Sequence, residues 1–97
     1  MQAFANAAAL LPPELRGAFL SMPEAVRAGG EELRLRTGFA PSVRLADGER
    51  PLPFRAVTEH DLQCVLTCAT GGSVHTAADS IRNGFVTARG GVRVGLC

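Results

Sequence analysis

Glu31-Glu32-Leu33-Arg34-Leu35-Arg36 is the stretch at which the sequence changes its period. Leu33 and Leu35 alternate with Glu32, Arg34 and Arg36, so a strand through them buries leucine on one side and shows arginine on the other. Gly38 and Pro41 punctuate a turn after it. Val43 and Leu45 alternate about Arg44 in a second strand, which sets Arg44 on the neighbour of the first. Asp47-Gly48 then reads as a two-residue hairpin turn of type I′, whose two central positions both need positive φ. Pro51 and Pro53 confine the returning strand to an edge, because proline has no N–H for a second neighbour.

Upstream, residues 1–30 read as a lead-in of short helices. Pro12 and Pro13 suit a helix start, where a missing N–H costs nothing. Leu15, Ala18, Phe19 and Met22 follow at helical spacing. Ser21 is the expected cap of a second turn beginning at Met22-Pro23, with Glu24 at its positive end and Gly29-Gly30 closing it. Downstream, Thr58 and Asp61 form a capping box ahead of Leu62, Val65, Leu66 and Ala69, one apolar stripe. Gly71-Gly72 end that helix. Ser73 caps the next, with Val74, Ala77, Ala78 and Ile81 inward and Gly84 stopping it. Phe85 to Arg89 and Val92 to Leu96 read as strands around Gly90-Gly91, a second two-residue hairpin turn. Val92, Val94 and Leu96 share one face and Arg93 takes the other. Helices and strands come in blocks, which predicts an α+β fold: N-terminal short helices, a small, mostly antiparallel sheet with hairpins, and two helices packed on one face.

The chain has 97 residues, the size of one domain with a modest core. We read 1–97 as a single regulatory or docking domain, with 31–97 as the α+β core behind the helical lead-in. A formal net charge of +1 gives no electrostatic footprint for nucleic acid or an anionic membrane. All ten basic residues are arginine. A P-loop needs a lysine to reach the phosphates, so none lies within these residues. The apolar run Ala7 to Leu11 is far shorter than the ~20 residues of a membrane span. No basic segment precedes it, which argues against a secretory signal. Three cysteines without a disulfide spacing point to a reducing cytosol.

Several residues carry chemistry in principle. Arg34, Arg36 and Arg44 lie on adjacent strands, and Arg89 and Arg93 flank the last hairpin. Guanidinium groups hold their charge and offer a planar fork to phosphate oxygens, but the same arginines can form surface ion pairs with Glu31, Glu32 and Glu49. His60, Cys64 and Cys68 are spaced four apart on one helix, and His75 on the next could join them. Zinc needs about four ligands from more than one segment, and there is no C-x-x-C pair, so these read as structural residues and no metal is expected. Ser73, His75 and Asp79 have the residue types of a hydrolytic triad, but they crowd one helical segment and cannot take its geometry. No catalytic residue is assigned.

Larger motifs point to a family. Glu31-Glu32-Leu33-Arg34-Leu35-Arg36-Thr37-Gly38 resembles the E-x-R-x-R-x-G strand and turn of the stage III sporulation protein AA family. Ser73 through Asp79, with Ile81-Arg82-Asn83-Gly84-Phe85-Val86-Thr87, is similar to that family's S-x-Y/H … I-x-x-G-F/Y-I/V-T segment. Gly90-Gly91-Val92-Arg93-Val94-Gly95-Leu96 resembles its G-G-H-R-V-G-L segment, with Val92 where the family commonly has histidine. Leu11-Pro12-Pro13-Glu14-Leu15-Arg16 fits as well. The strand–hairpin–strand from Leu33 to Glu49 is also similar to the start of pilus-retraction and secretion ATPases.

The resemblance implies the N-terminal domain of a hexameric ATPase whose RecA-like motor follows Cys97. It implies ATP and Mg in the full-length protein and none in these residues. It also implies a cytoplasmic place in the mother cell, peripheral to the membrane components of a secretion-like channel. In the related secretion ATPases, N-terminal arginines can reach nucleotide on the motor. This makes Arg93, then Arg89, then Arg34 and Arg36, the expected interdomain or phosphate contacts. The strand-like ending at Leu96-Cys97, without a capping turn, reads as a chain that continues. The alternative is a free-standing module that binds a partner protein through an exposed sheet edge.

Overall fold

The computed structural model describes residues 2–70 and 84–96. The predicted helix from Ser73 to Gly84 falls almost entirely outside these. Strand β1, Glu32–Leu35, is the central strand, and the alternation that defines it holds: Leu33 and Leu35 are fully buried, while Glu32 and Arg34 are half-buried on the other face. β2 (Ser42–Leu45) and β3 (Gly48–Pro51) form the hairpin beside it. β4 (Phe85–Thr87) and β5 (Arg93–Leu96) form another, giving the order β3-β2-β1-β5-β4 among the described residues. β1 runs parallel to β5 and every other neighbouring pair is antiparallel, so the sheet is mixed and mostly antiparallel.

The register explains the core. Leu33 stands opposite both Val43 of β2 and Val94 of β5, and Leu35 stands opposite Leu96. Val86 of β4 continues the Val94 position outward. Three short helices bring their apolar residues into the same buried cluster: α1 (Gln2–Ala8), α2 (Pro13–Leu20) and α3 (Glu24–Gly29). Phe4, Leu11, Leu15 and Phe19 are within 2% of complete burial, and the Phe4 and Phe19 rings meet with centroids 6.4 Å apart. The Ala7-Leu11 run is therefore core rather than anchor. Among the described residues, no helix is long and apolar enough to cross a membrane.

α4 (Glu59–Thr70) contributes Val65, with Leu62 and Leu66 packed against the cluster. Its capping box forms as expected. The Thr58 N–H donates to Asp61 Oδ2 at 2.8 Å, and the Asp61 N–H donates to Thr58 Oγ1 at 3.2 Å.

Three local expectations are corrected. Ser21 does not cap α3, whose N-cap is Pro23 without a side-chain bond; its hydroxyl instead donates to the Gly17 carbonyl and closes α2. In the first hairpin, Leu45 pairs with Gly48, so the turn residues are Ala46 and Asp47. Positive φ falls only on Gly48, at 144°, and not on Asp47, which rules out type I′. The last two strands are also shorter than the sequence suggested. Ala88 and Val92 leave the named strands, though the Ala88 N–H still donates to the Val92 carbonyl.

The second hairpin turns at its glycines, but the Ala88 N–H donates to the Val92 carbonyl, so the loop holds three residues, 89–91, rather than the two expected. Gly90 and Gly91 have φ of 98° and 96°. Gly90 also lies against α1: a Cβ there would sit 2.7 Å from Ala3 Cβ and 3.1 Å from its Cα. The Asn6 amide donates to the Arg89 carbonyl at 3.0 Å, so the turn is pinned to α1 twice. A Cβ on Gly91 would meet nothing within 4 Å. Gly91→Ala should therefore cost only the backbone term, about 1 kcal/mol. Gly90→Ala adds overpacking against a helix and should cost at least about 2 kcal/mol more than Gly91→Ala. Urea denaturation of the two variants measures the difference, and equal losses would mean that α1 does not hold the turn.

Candidate functional site

The outward side chains of the sheet fall in two rows set by the register. One row runs Glu49, Arg44, Glu32, Arg93, Thr87, and the next runs Pro51, Ser42, Arg34, Gly95, Phe85. Four of the arginines singled out in the sequence come to one face: Arg34, Arg44 and Arg93 in the rows, and Arg36 just past the end of β1, where it reaches Glu49. Arg89 does not join them, because it sits in the turn after β4.

Arg34 and Arg36 are engaged. Arg34 Nε donates to Glu32 Oε1 at 2.9 Å and its Nη1 to Glu49 Oε1 at 3.0 Å. Arg36 Nη2 approaches Glu49 Oε2 at 3.2 Å, and the Ser42 hydroxyl donates to the same oxygen. The Ser42 hydrogen bond, followed by the charges of Arg36 and Arg34, holds the Glu49 carboxyl below its ordinary pKa. The Glu32 hydrogen bond raises Arg34 above its ordinary value. Glu32 reaches Arg34 by lying across Gly95, where a Cβ would come within 2.7 Å of Oε1. Glu32, Arg34, Arg36, Gly84, Gly95 and Leu96 surround a cavity of about 310 Å³ there.

Arg93 and Arg44 are held differently. The Arg93 guanidinium stacks over the Phe85 ring at 4.8 Å from its centroid. Arg44 has Glu31 at 3.9 Å, with both side chains more than half exposed. The two line one cavity of about 530 Å³ with Glu31, Glu32, Gly90 and Gly91. Arg89 lines neither cavity.

The sequence reading missed a third cluster. Arg55 clasps Asp61 with two hydrogen bonds, Nη1 to Oδ2 at 2.8 Å and Nη2 to Oδ1 at 3.1 Å. It also lies 3.5 Å from Glu14 of α2 and over the Phe54 ring. Asp61 is 3% exposed, so the capping carboxylate is also half of a nearly buried ion pair. The signal available was an arginine six residues ahead of the capping aspartate, too far for a local rule to connect.

No family model matches the chain, and no solved structure matches it. A curated protein does. The chain is homologous to Stage III sporulation protein AA of Bacillus subtilis (strain 168). The two are 32% identical over 89 residues. That match takes in 92% of this chain and 29% of the Bacillus protein, so the chain spans under a third of its relative's length. The resemblance carried by the motifs therefore stands.

The remaining candidates are quickly placed. On α4, His60 Nε2 lies 3.6 Å from Cys64 Sγ, and Cys68 is exposed. Among the described residues no three metal-ligating side chains gather. Ser73, His75 and Asp79 lie outside the described residues. Val92 is buried, with only 7% exposed.

The Asp61 carboxyl is lowered to about 2, chiefly by the Arg55 hydrogen bonds and then by the Thr58 N–H and hydroxyl. A depressed carboxyl stabilises the fold above its unfolded pKa, and the gain is lost as pH falls through the folded value. Stability should therefore drop between about pH 4 and 2 by up to ~2 kcal/mol. Asp61→Asn should show a lower plateau at pH 7 and lose most of that slope. Thermal melts from pH 2 to 7 test this, and an unchanged acid slope in the variant would assign the dependence elsewhere.

Proposed function

We propose that this chain is the non-catalytic N-terminal domain of an ATPase of the stage III sporulation protein AA type. The observation that carries the reading is the pairing of the two coverages: 92% of the chain matches a relative of which it accounts for 29%. The greater part of that relative has no counterpart here. The resemblance to secretion and pilus ATPases supports reading that remainder as a motor that binds ATP and Mg and carries out hydrolysis. The domain works in the cytoplasm of the mother cell. It docks to the membrane components of a secretion-like complex, and the full-length protein assembles as a hexamer.

Its residue-level role is contact. The polar face of the sheet presents Arg93 and Arg34 in adjacent rows and Arg36 just past β1, with Arg89 at the hairpin beyond. Arg34 holds Glu32 and Glu49, and Arg36 holds Glu49, and such partly exposed ion pairs are worth ~1 kcal/mol or less each, so a stronger partner can displace them. Arg93 is braced by an aromatic ring rather than by a carboxylate, which leaves its fork available to another domain or subunit. Of the four, it is the first choice for the contact.

The test is ATP turnover by the full-length polypeptide. Arg93→Ala should lower the rate about tenfold or more, the loss expected for one charge-assisted contact. The 97-residue chain titrated with Mg-ATP in a calorimeter should show no micromolar binding. An unchanged rate in the variant would remove Arg93 from the contact, and micromolar affinity in the isolated chain would overturn the division of labour.

A further inference from the structure

Glu32 faces Arg44 on one side and Arg93 on the other, in register with both. The simplest pattern for such a row would be one carboxylate shared between two guanidinium groups. The structure does not adopt it. Glu32 leans across Gly95 to Arg34 in the next row, at 2.9 Å, and the missing side chain at Gly95 makes the room. Arg44 is left with an exposed partner at 3.9 Å, and Arg93 with an aromatic face. Their strands lie on either side of β1, so their backbones stand about 10 Å apart, close enough for two long side chains to converge on one group. Both line the same cavity, about 530 Å³, whose far wall is the side-chain-free turn at Gly90 and Gly91.

We propose that this cavity receives a carboxylate side chain from an acidic segment of a partner protein. The inference rests on the reading of this chain as a docking domain, and it names the chemistry of what docks. The charge of the cavity favours a carboxylate over a phosphate. Glu31 and Glu32 line the cavity with the two arginines, so its formal charge is zero. A monoanion entering it leaves one negative charge, whereas a phosphate near its second ionisation leaves up to two. The planar fork of guanidinium matches a carboxylate in two-point geometry. The long Glu31–Arg44 approach is also one that an incoming carboxylate can replace at little cost. The glycine wall lets the backbone of the arriving segment come close.

NMR titration of the ¹⁵N-labelled chain tests the inference. The probes are a capped Gly-Glu-Gly-Glu-Gly peptide, its glutamine counterpart, inorganic phosphate and Mg-ATP. The acidic peptide should shift the amides of Glu31, Glu32, Gly90 and Gly91 and the Arg44 and Arg93 Nε signals, with Kd on the order of 1 mM. Arg44→Gln and Arg93→Gln should each weaken it about tenfold while the rest of the spectrum stays in place. Glu31→Gln should tighten it by removing the competing carboxylate. Equal shifts from the glutamine peptide would overturn the proposal, as would unchanged affinity in both arginine variants. Phosphate or Mg-ATP binding here tenfold more tightly than the acidic peptide would assign the cavity to phosphate and sink it too. If the peptide fails while Arg93→Ala still slows the full-length ATPase, the docking reading survives and only the carboxylate assignment falls.

Discussion

The pairing of Leu33 with two valines, one on each neighbouring strand, is the constraint on which the other placements depend. Leu33 meets Val43 across an antiparallel ladder and Val94 across a parallel one. Side chains alternate with a period of two, so a slip of β1 by one residue against both neighbours would send Arg34 toward the phenylalanines of α1 and α2. An unpaired guanidinium in that cluster would cost several kcal/mol. The register is thus fixed by what must not enter the core. Once it is fixed, the outward residues have no further choice: Glu32 must stand between Arg44 and Arg93, and Arg34 between Ser42 and Gly95.

Within those rows the charges distribute themselves by space rather than by number. Gly95 offers a gap and Glu32 takes it, which joins Glu32, Arg34, Glu49, Arg36 and Ser42 into one network. Glu49 and Arg36 at its outer end are exposed while Glu32 and Arg34 are half-buried, so the network orients its arginines and adds only modestly to stability. The Arg55–Asp61 pair is the opposite case. Asp61 is nearly sealed, accepts from the Thr58 N–H as well as from a bidentate arginine, and stands where α4 begins. Arg55 also reaches Glu14, so one arginine relates the second helix to the fourth. The same residue type therefore does two jobs in this fold. One set of arginines holds helices together, and the other decorates a face.

The distinction between those sets was only partly legible in the sequence. The Leu33/Leu35 alternation, the Thr58–Asp61 box and the Gly90-Gly91 turn are local patterns, and each gives the element it signals. Ser21 and Asp47-Gly48 are equally local but misleading. Ser21 had two helix ends within reach, and its hydroxyl satisfied the earlier one. Asp47 keeps negative φ, and the positive value falls on Gly48. The arginine cluster was visible as a count of residues on strands, but not as an arrangement. The pairing of Arg34 and Arg36 with Glu49 depends on the first hairpin. The meeting of Arg44 and Arg93 depends on a parallel contact between the start and the end of the sheet, which no pattern within either segment encodes.

The form of the sheet also bears on how such a domain could meet a partner. Strand addition would need an open ladder, and β3 is a poor one. It has four residues, ends in Pro51, and carries Glu49 and Arg50 on an exposed edge. Short length, proline and charge are the devices by which natural edges avoid pairing with other chains. The polar face has no such guard. It offers paired charges that exchange easily, a ring-braced arginine and two shallow cavities floored or walled by glycine. Recognition through side chains on that face, rather than through main-chain hydrogen bonds at this edge, follows from the difference, and it favours a charged partner surface over an extended strand.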